Sequence, residues 1–108
     1  MRDKIKDSLG LARKAGAVTA GTELVIDSMK KKKAAHVFIS SDASAGTEKK
    51  LRDKANFYQT PVTKLELTMS ELADCIGLKR PTAAVSLTNK NFLNLFDLII
   101  KKSTEVHE

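Results

Sequence analysis

The chain has 108 residues and a mass of 11.8 kDa, so one domain spanning residues 1–108 is expected. Hydrophobic residues make up 42% and charged residues 30%, which provides for an ordinary core and excludes a disordered chain. One Cys excludes a disulfide framework and a Cys-based zinc site within one chain, and no cofactor or metal is expected.

The formal net charge is +6 and the pI about 9.6. The charge is unevenly spread. Residues 1–33 hold nine cations (Arg2, Lys4, Lys6, Arg13, Lys14 and Lys30 to Lys33) against four acids (Asp3, Asp7, Glu23, Asp27), a net +5. A small basic domain with its charge at one end points to nucleic acid ahead of acidic metabolites. Without Trp and with one Tyr, it has little material for stacking single-stranded bases. Basic composition alone also suits an anionic membrane surface. No apolar run approaches the ~18–20 residues of a membrane span, and Met1-Arg2-Asp3-Lys4 is unlike a secretory leader. A cytoplasmic location and no membrane partner are expected.

Ile5, Leu9 and Ala12 share one face of a helix over Arg2 to Ala15, and Gly16 reads as its C-terminal cap. Ala17 to Thr19 is a short extended piece. Gly21-Thr22 opens a second helix striped by Leu24, Val25, Ile26 and Met29 and closed by Lys30 to Lys33. Val37 to Ile39 is β-branched and short, as a buried strand is. After a turn at Ser44 to Gly46, Leu51, Ala55 and Tyr58 mark a third helix. Pro61 begins a strand through Val62 and Leu65. Thr68-Met69-Ser70-Glu71 is a capping box for a helix that carries Leu72, Ala73 and Ile76 and stops at Gly77. Leu78-Lys79-Arg80-Pro81 is a loop, and Ala83 to Leu87 a strand. Asn89 or Asn91 caps a last helix with Phe92, Phe96 and Ile99, and the tail from about residue 103 is expected to fray. Helix and strand alternate throughout, so an α/β sheet with helices on both faces follows. Sites in such sheets tend to lie in loops at one end of the strands.

These residues also carry a resemblance. Gly10-Leu11-Ala12-Arg13-Lys14-Ala15-Gly16, Gly21-Thr22-Glu23, Val37 to Ser40, Asp42, Pro61-Val62, Glu71-Leu72, Gly77 and Ala83-Ala84-Val85 form one ordered pattern over about residues 4–100. The pattern resembles the kink-turn RNA-binding ribosomal protein family, most closely its small bacterial YlxQ-type branch. The resemblance implies a three-layer α-β-α sandwich with a mixed four-stranded sheet. It also implies a non-enzymatic protein that binds structured RNA in a ribosomal or ribosome-associated setting. In the family, the second helix's N-terminus, entered through Gly-x-Asn-Glu-x-x-Lys, and a loop after the fourth helix grip the bent RNA. By position, Gly21 and Thr22 match the motif's start. Glu23 stands at its Asn, Leu24 at its Glu and Asp27 at its Lys, while Leu78, Lys79, Arg80 and Pro81 occupy the covering loop.

The departures have physical content. A helix N-terminus offers free N–H groups and partial positive charge, and Gly21 lets RNA come close. Glu23 accepts hydrogen bonds from guanine but, unlike Asn, donates none. Leu24 does neither, and Asp27 repels phosphate. Reading of RNA shape is therefore expected ahead of sequence-selective reading of G·A pairs. The RNA-facing set is Arg13, Lys14, Gly21, Thr22, Glu23, Leu78, Lys79, Arg80 and Pro81. Arg13, Lys14, Lys79 and Arg80 would hold phosphates, Glu23 a base edge, and Leu78 an unstacked base.

Each feature also has a structural reading. Gly21-Thr22-Glu23 serves as an ordinary helix start, and Lys30 to Lys33 as solvated charge that complements a helix C-terminus and steers encounters at long range. His36 and Cys75 border the core, with no partner in sequence that would make either catalytic. Asp42 ends a strand and Glu48 opens a helix, and no P-loop, metal motif or nucleophile elbow is present. An alternative from another class is a protein-interaction domain that keeps the fold but has lost RNA reading, which Leu24 and Asp27 favour. That reading requires Leu24 to stand in a contiguous apolar patch. A monomer is expected.

Overall fold

A computed structural model describes residues 2–97. Ile99 and the tail from residue 103 lie outside the described residues. The elements are α1 (Arg2–Lys14), β1 (Val18–Ala20), α2 (Thr22–Lys30), β2 (His36–Ile39), α3 (Ala45–Tyr58), β3 (Val62–Lys64), α4 (Met69–Cys75) and β4 (Ala84–Leu87), then a 3₁₀ helix (Lys90–Phe96). The expected order holds throughout. The last element differs in kind: Asn89 caps it through Asn91 N–H, but its turns are 3₁₀.

The sheet order is β1-β4-β2-β3. β4 runs antiparallel to both β1 and β2, while β2 and β3 are parallel, so the sheet is mixed as expected. Every residue of β2 and β4 is buried, because both faces of the sheet are covered. On one face, Phe38, Val85 and Leu87 join Ile5 and Leu9 of α1, Leu72 of α4 and Phe96. On the other, Val37, Ile39 and Ala84 meet Val25 and Met29 of α2 and Leu51 and Ala55 of α3. The result is the three-layer α-β-α sandwich. The period-two alternation of the strands sorts their side chains between the two cores.

Local chemistry sets the element ends. Thr68 Oγ1 accepts the Glu71 N–H at 3.1 Å while Glu71 Oε1 accepts the Thr68 N–H at 3.0 Å, so both halves of the capping box form. The Ser44 hydroxyl accepts the Thr47 N–H to start α3. Gly16 (φ 73°) and Gly77 (φ 75°) end α1 and α4 in the left-handed region.

The four α-helices point the same way. β1, β2 and β3 run toward one end of the sheet, here the upper end, where Ala20, Ile39 and Lys64 lie; β4 runs back down from Ala84. α2 and α3 start where β1 and β2 stop. α4 starts beside them, since the Met69 carbonyl accepts the Thr82 N–H at 3.2 Å. α1 starts there too, where Arg2 ion-pairs with Glu71 in the first turn of α4. All four positive helix ends therefore gather at the upper end, and the carbonyl ends at the lower.

Candidate nucleic-acid interface

The upper end is built around Gly21. This residue adopts φ 98° and ψ 139°, a backbone region essentially closed to other residues, and a Cβ added there would meet nothing within 4 Å. Backbone geometry and open approach both call for glycine. Its N–H is shared between the Ala84 carbonyl and the Thr82 hydroxyl, each at 3.1 Å. Its carbonyl accepts the Val25 N–H at 2.8 Å, closing the first turn of α2. No side chain caps α2. The N–H groups of Thr22, Glu23 and Leu24 are therefore left for an external acceptor.

The covering loop is held against this helix start by Thr82, which is buried. Its hydroxyl accepts from Gly21 and donates to the Ala84 carbonyl at 2.9 Å. Arg80 is two residues upstream, so its Cα lies within about 7 Å of that of Thr82. Lys79, Arg80 and Pro81 are exposed. Leu78 is half-buried and packs on the α1/α4 core, with its N–H bonded to the Ala73 carbonyl at 2.9 Å. The structure thus brings Thr82, at the end of this loop, onto Gly21, leaves Lys79 and Pro81 lining the surface of α4 beside Ser70, Glu71 and Asp74, and draws Leu78 partly into the core.

Arg13 and Lys14 are not part of this group. They precede Gly21 closely in sequence, but β1 intervenes, and the steps from Ala17 to Gly21 extend about 13 Å. The Ala12 carbonyl accepts the Ala17 N–H, and the Ala17 carbonyl accepts the Thr88 N–H, which fixes the end of α1 at the lower end of the sheet. Proximity in sequence does not become proximity in space here, and the expected clustering of Arg13 and Lys14 with Gly21 is corrected.

Glu23 is exposed and ion-paired with Lys50 of α3 at 2.8 Å. A cation thereby enters the site that sequence reasoning missed, because the pair spans 27 residues and has no local signature. Thr82 was missed for the same reason. Asp27 pairs with Lys31 at 3.0 Å, one turn along its own helix.

Leu24 is 62% exposed beside Gly21. The other large exposed apolar side chains are Leu11, on α1 across the sheet, and Phe57, in the last turn of α3 at the lower end. Among the described residues no contiguous apolar patch surrounds Leu24.

Several polar groups have structural roles. His36 belongs to β2 and is buried, with Nε2 2.9 Å from Thr63 Oγ1 and its ring stacked on Phe38 at 4.8 Å. Burial lowers its pKa to about 4. Cys75 is half-buried, donates to the Leu72 carbonyl, and has its thiol pKa raised by burial. Asp42 accepts the Met69 N–H at 2.8 Å and so anchors α4. Glu48 lies in the first turn of α3, and hydrogen bonds from Lys64 and Arg52 lower its pKa. Among the described residues no cluster of His, Cys, Asp and Glu fits a metal ion, and no helix is long and apolar enough to cross a membrane.

Comparisons with known proteins bear on the family and the fold. Residues 3–96 match the signature of the ribosomal protein L7Ae/L30e/S12e/Gadd45 family. A protein of Bacillus subtilis (strain 168), named RNA-binding protein YlxQ, is 38% identical over 86 residues, 80% of this chain and 84% of that one. Its namesake in Enterococcus faecium is 38% identical over 79 residues, 73% of this chain and 76% of that one. Among solved structures, a protein of unknown function from Bacillus halodurans C superposes with a TM-score of 0.79 at 29% identity, covering 89% of this chain and 95% of its own. The Giardia lamblia 15.5kD RNA binding protein shares the fold, with a TM-score of 0.76 at 17% identity over 94% of this chain and 86% of its own.

Proposed function

Because the chain belongs to the ribosomal protein L7Ae/L30e/S12e/Gadd45 family, in its YlxQ-type branch, we propose that it is a non-catalytic RNA-binding protein that docks on bent, kink-turn-like RNA. The uncapped start of α2 and the Lys79–Pro81 segment form the docking surface. The observation that carries this reading is the Thr82 hydroxyl bridge between Gly21 and Ala84, which holds loop and helix start in one fixed relation. A fixed relation between two contact elements is what reading a bend requires, since less freedom is lost on binding.

In the docked state the N–H groups of Thr22, Glu23 and Leu24 face a phosphate or a base edge. Lys79 and Arg80 take phosphates, Pro81 stiffens their loop, and Leu24 offers an apolar surface to an unstacked base. Leu24 replaces Leu78 in that role because Leu78 is half-buried. Glu23, held by Lys50, meets the RNA as part of an ion pair. Arg13 and Lys14 lie outside this docking surface. A ribosomal or ribosome-associated RNA is the natural target for a member of this family, in the cytoplasm and with the protein as a monomer.

The test is a titration against a kink-turn RNA and a straight duplex of equal length, at two salt concentrations. Preference for the kinked RNA at both is the expected result. Equal and steeply salt-dependent binding would reduce the interaction to phosphate attraction. No binding to either would return the fold to a protein-interaction role, a reading the isolation of Leu24 disfavours.

A further inference from the structure

The cationic excess of residues 1–33 does not collect at the docking surface. It collects at the opposite end of the sheet. α1 ends there with Arg13 and Lys14, and α2 ends there with Lys30 to Lys33. The two helix ends belong to different layers, yet the sheet edge brings them close. Ala17 pairs through its carbonyl with Thr88, and the Ala35 N–H donates to the Leu87 carbonyl at 2.7 Å. With β4 alone between them, Ala17 and Ala35 stand about 10 Å apart, two strand spacings. Lys90 opens the 3₁₀ helix from the same end.

The charges here are arranged differently from those elsewhere. Over the rest of the described surface, six cations are matched by acids: Arg2 and Lys6 with Glu71, Lys49 with Asp53, Lys50 with Glu23, and Arg52 and Lys64 with Glu48, while Lys4, Lys54, Lys79 and Arg80 are exposed and in no ion pair among the described residues. At the lower end, Lys31 pairs with Asp27, and Lys32 is committed to Tyr58, whose carbonyl it reaches at 3.0 Å and whose ring it overlies at 5.7 Å. Among the described residues Arg13, Lys14, Lys30, Lys33 and Lys90 are exposed and in no ion pair.

Helix capping explains part of this. Arg13, Lys14 and Lys30 lie in last turns, where a cation suits the dipole. Lys33 and Lys90 lie outside those turns. The backbone does not ask for lysine either. Lys32 sits at φ 60°, the left-handed position after α2 that glycine fills more easily. Asp7 and Asp74 line a groove with Lys14, and Asp27 holds Lys31, but the cations gathered from the two layers outnumber these acids, and such a surface is suited to a polyanion.

We propose that this lower end is a second RNA-contacting surface, in which Arg13, Lys14, Lys30 and Lys33 take the phosphate backbone of a helical stem. The inference rests on the RNA-binding reading and adds a second contact at the far side of a molecule measuring 33 × 29 × 26 Å. Base sequence is not read there. The surface adds affinity and salt dependence, while the upper end supplies selectivity for shape.

The experiment uses the full chain and three variants: the fourfold Arg13→Gln, Lys14→Gln, Lys30→Gln, Lys33→Gln, the loop variant Lys79→Gln, Arg80→Gln, and a charge-keeping Lys30→Arg, Lys33→Arg. Each is titrated with a straight RNA duplex of about two helical turns and with a kink-turn RNA carrying stems of that length, over a salt series. The fourfold variant should bind both RNAs at least about tenfold more weakly at low salt. Its log–log salt slope should be shallower by about 2–4, close to one per lost phosphate contact. Its preference for the kinked RNA should be unchanged. A Lys30→Arg, Lys33→Arg variant should bind as the original does, which separates charge from folding.

Unchanged duplex affinity and slope in the fourfold variant would overturn the proposal while leaving the kink-turn reading intact. Absence of preference for the kinked RNA in the original chain would defeat the kink-turn reading alone. Binding of the original chain to phosphatidylserine vesicles that the fourfold variant loses, with RNA binding unaltered, would assign the surface to a membrane and overturn the proposal.

Discussion

The Thr82 hydroxyl stands between two segments 61 residues apart in sequence, accepting the Gly21 N–H at 3.1 Å. The same oxygen donates to the Ala84 carbonyl at 2.9 Å, so one buried side chain joins loop, helix start and strand. Thr82→Val keeps the shape and removes both bonds. A loss of about 1–3 kcal/mol in unfolding free energy is expected, because the Ala84 carbonyl is left with less of its pairing in a buried place. Thr82→Ser should recover most of it. Denaturant melts of the three proteins check the order.

Gly21→Ala tests the backbone itself. At φ 98° and ψ 139° an alanine is strained by about 1–3 kcal/mol although no neighbour blocks its Cβ. Stability should fall by that amount in a thermal melt. Kink-turn affinity should fall further, because the added methyl would stand on the proposed docking surface.

Arg80→Ala should lower RNA affinity by ~1–3 kcal/mol if its guanidinium makes a charge-assisted phosphate contact. An isotherm at low salt measures this. No change there would remove Arg80 from the docking surface.

Glu23→Gln gives a result of opposite sign. Glu23 holds Lys50 at 2.8 Å, so the substitution frees a cation and removes an anion beside the α2 start. RNA binding should tighten by about two- to fivefold, on the scale of one exposed pair. Weaker binding would instead mean that Glu23 touches a base edge. Competition titrations at low salt distinguish the two.

His36 makes stability depend on pH. Burial lowers its folded pKa from 6.5 to about 4, so the folded state keeps it neutral where the unfolded chain takes up a proton. Its contribution is complete above pH 6.5 and is lost as pH falls toward 4. The loss amounts to roughly 3 kcal/mol by linkage. His36→Gln should flatten that part of the stability profile, measured by urea midpoints from pH 7 to 4. Glu71, its pKa lowered first by the Thr68 N–H, loses its contribution at lower pH still, as it becomes protonated.

What sequence made legible was local. The capping box at Thr68 and Glu71 needs only two residues at a spacing of three, and both of its bonds form. The alternation of helix and strand was legible because each element carries its own apolar period. The family pattern added the mixed sheet. The residues alone do not place β4 between β1 and β2, since strand pairing is a long-range choice. Of the proposed docking surface, Gly21 and the Lys79–Pro81 segment can be named from the sequence. Thr82 and Lys50 cannot, because they matter through partners 61 and 27 residues away. Arg13 and Lys14 misled because β1 turns a short stretch of sequence into a distance. The 3₁₀ form of the last helix has no signal in the spacing of Phe92 and Phe96.

The sheet's two border strands have three residues each, Val18–Ala20 and Val62–Lys64, while the inner strands are buried on both faces. A border this short gives another chain little to add a strand to, and β1 lies between Gly16 and Gly21, neither of which continues it well. Where two copies of the chain meet, these borders are the places at which one sheet could extend into another. Strand exchange between them is limited from the start by how little edge each copy exposes.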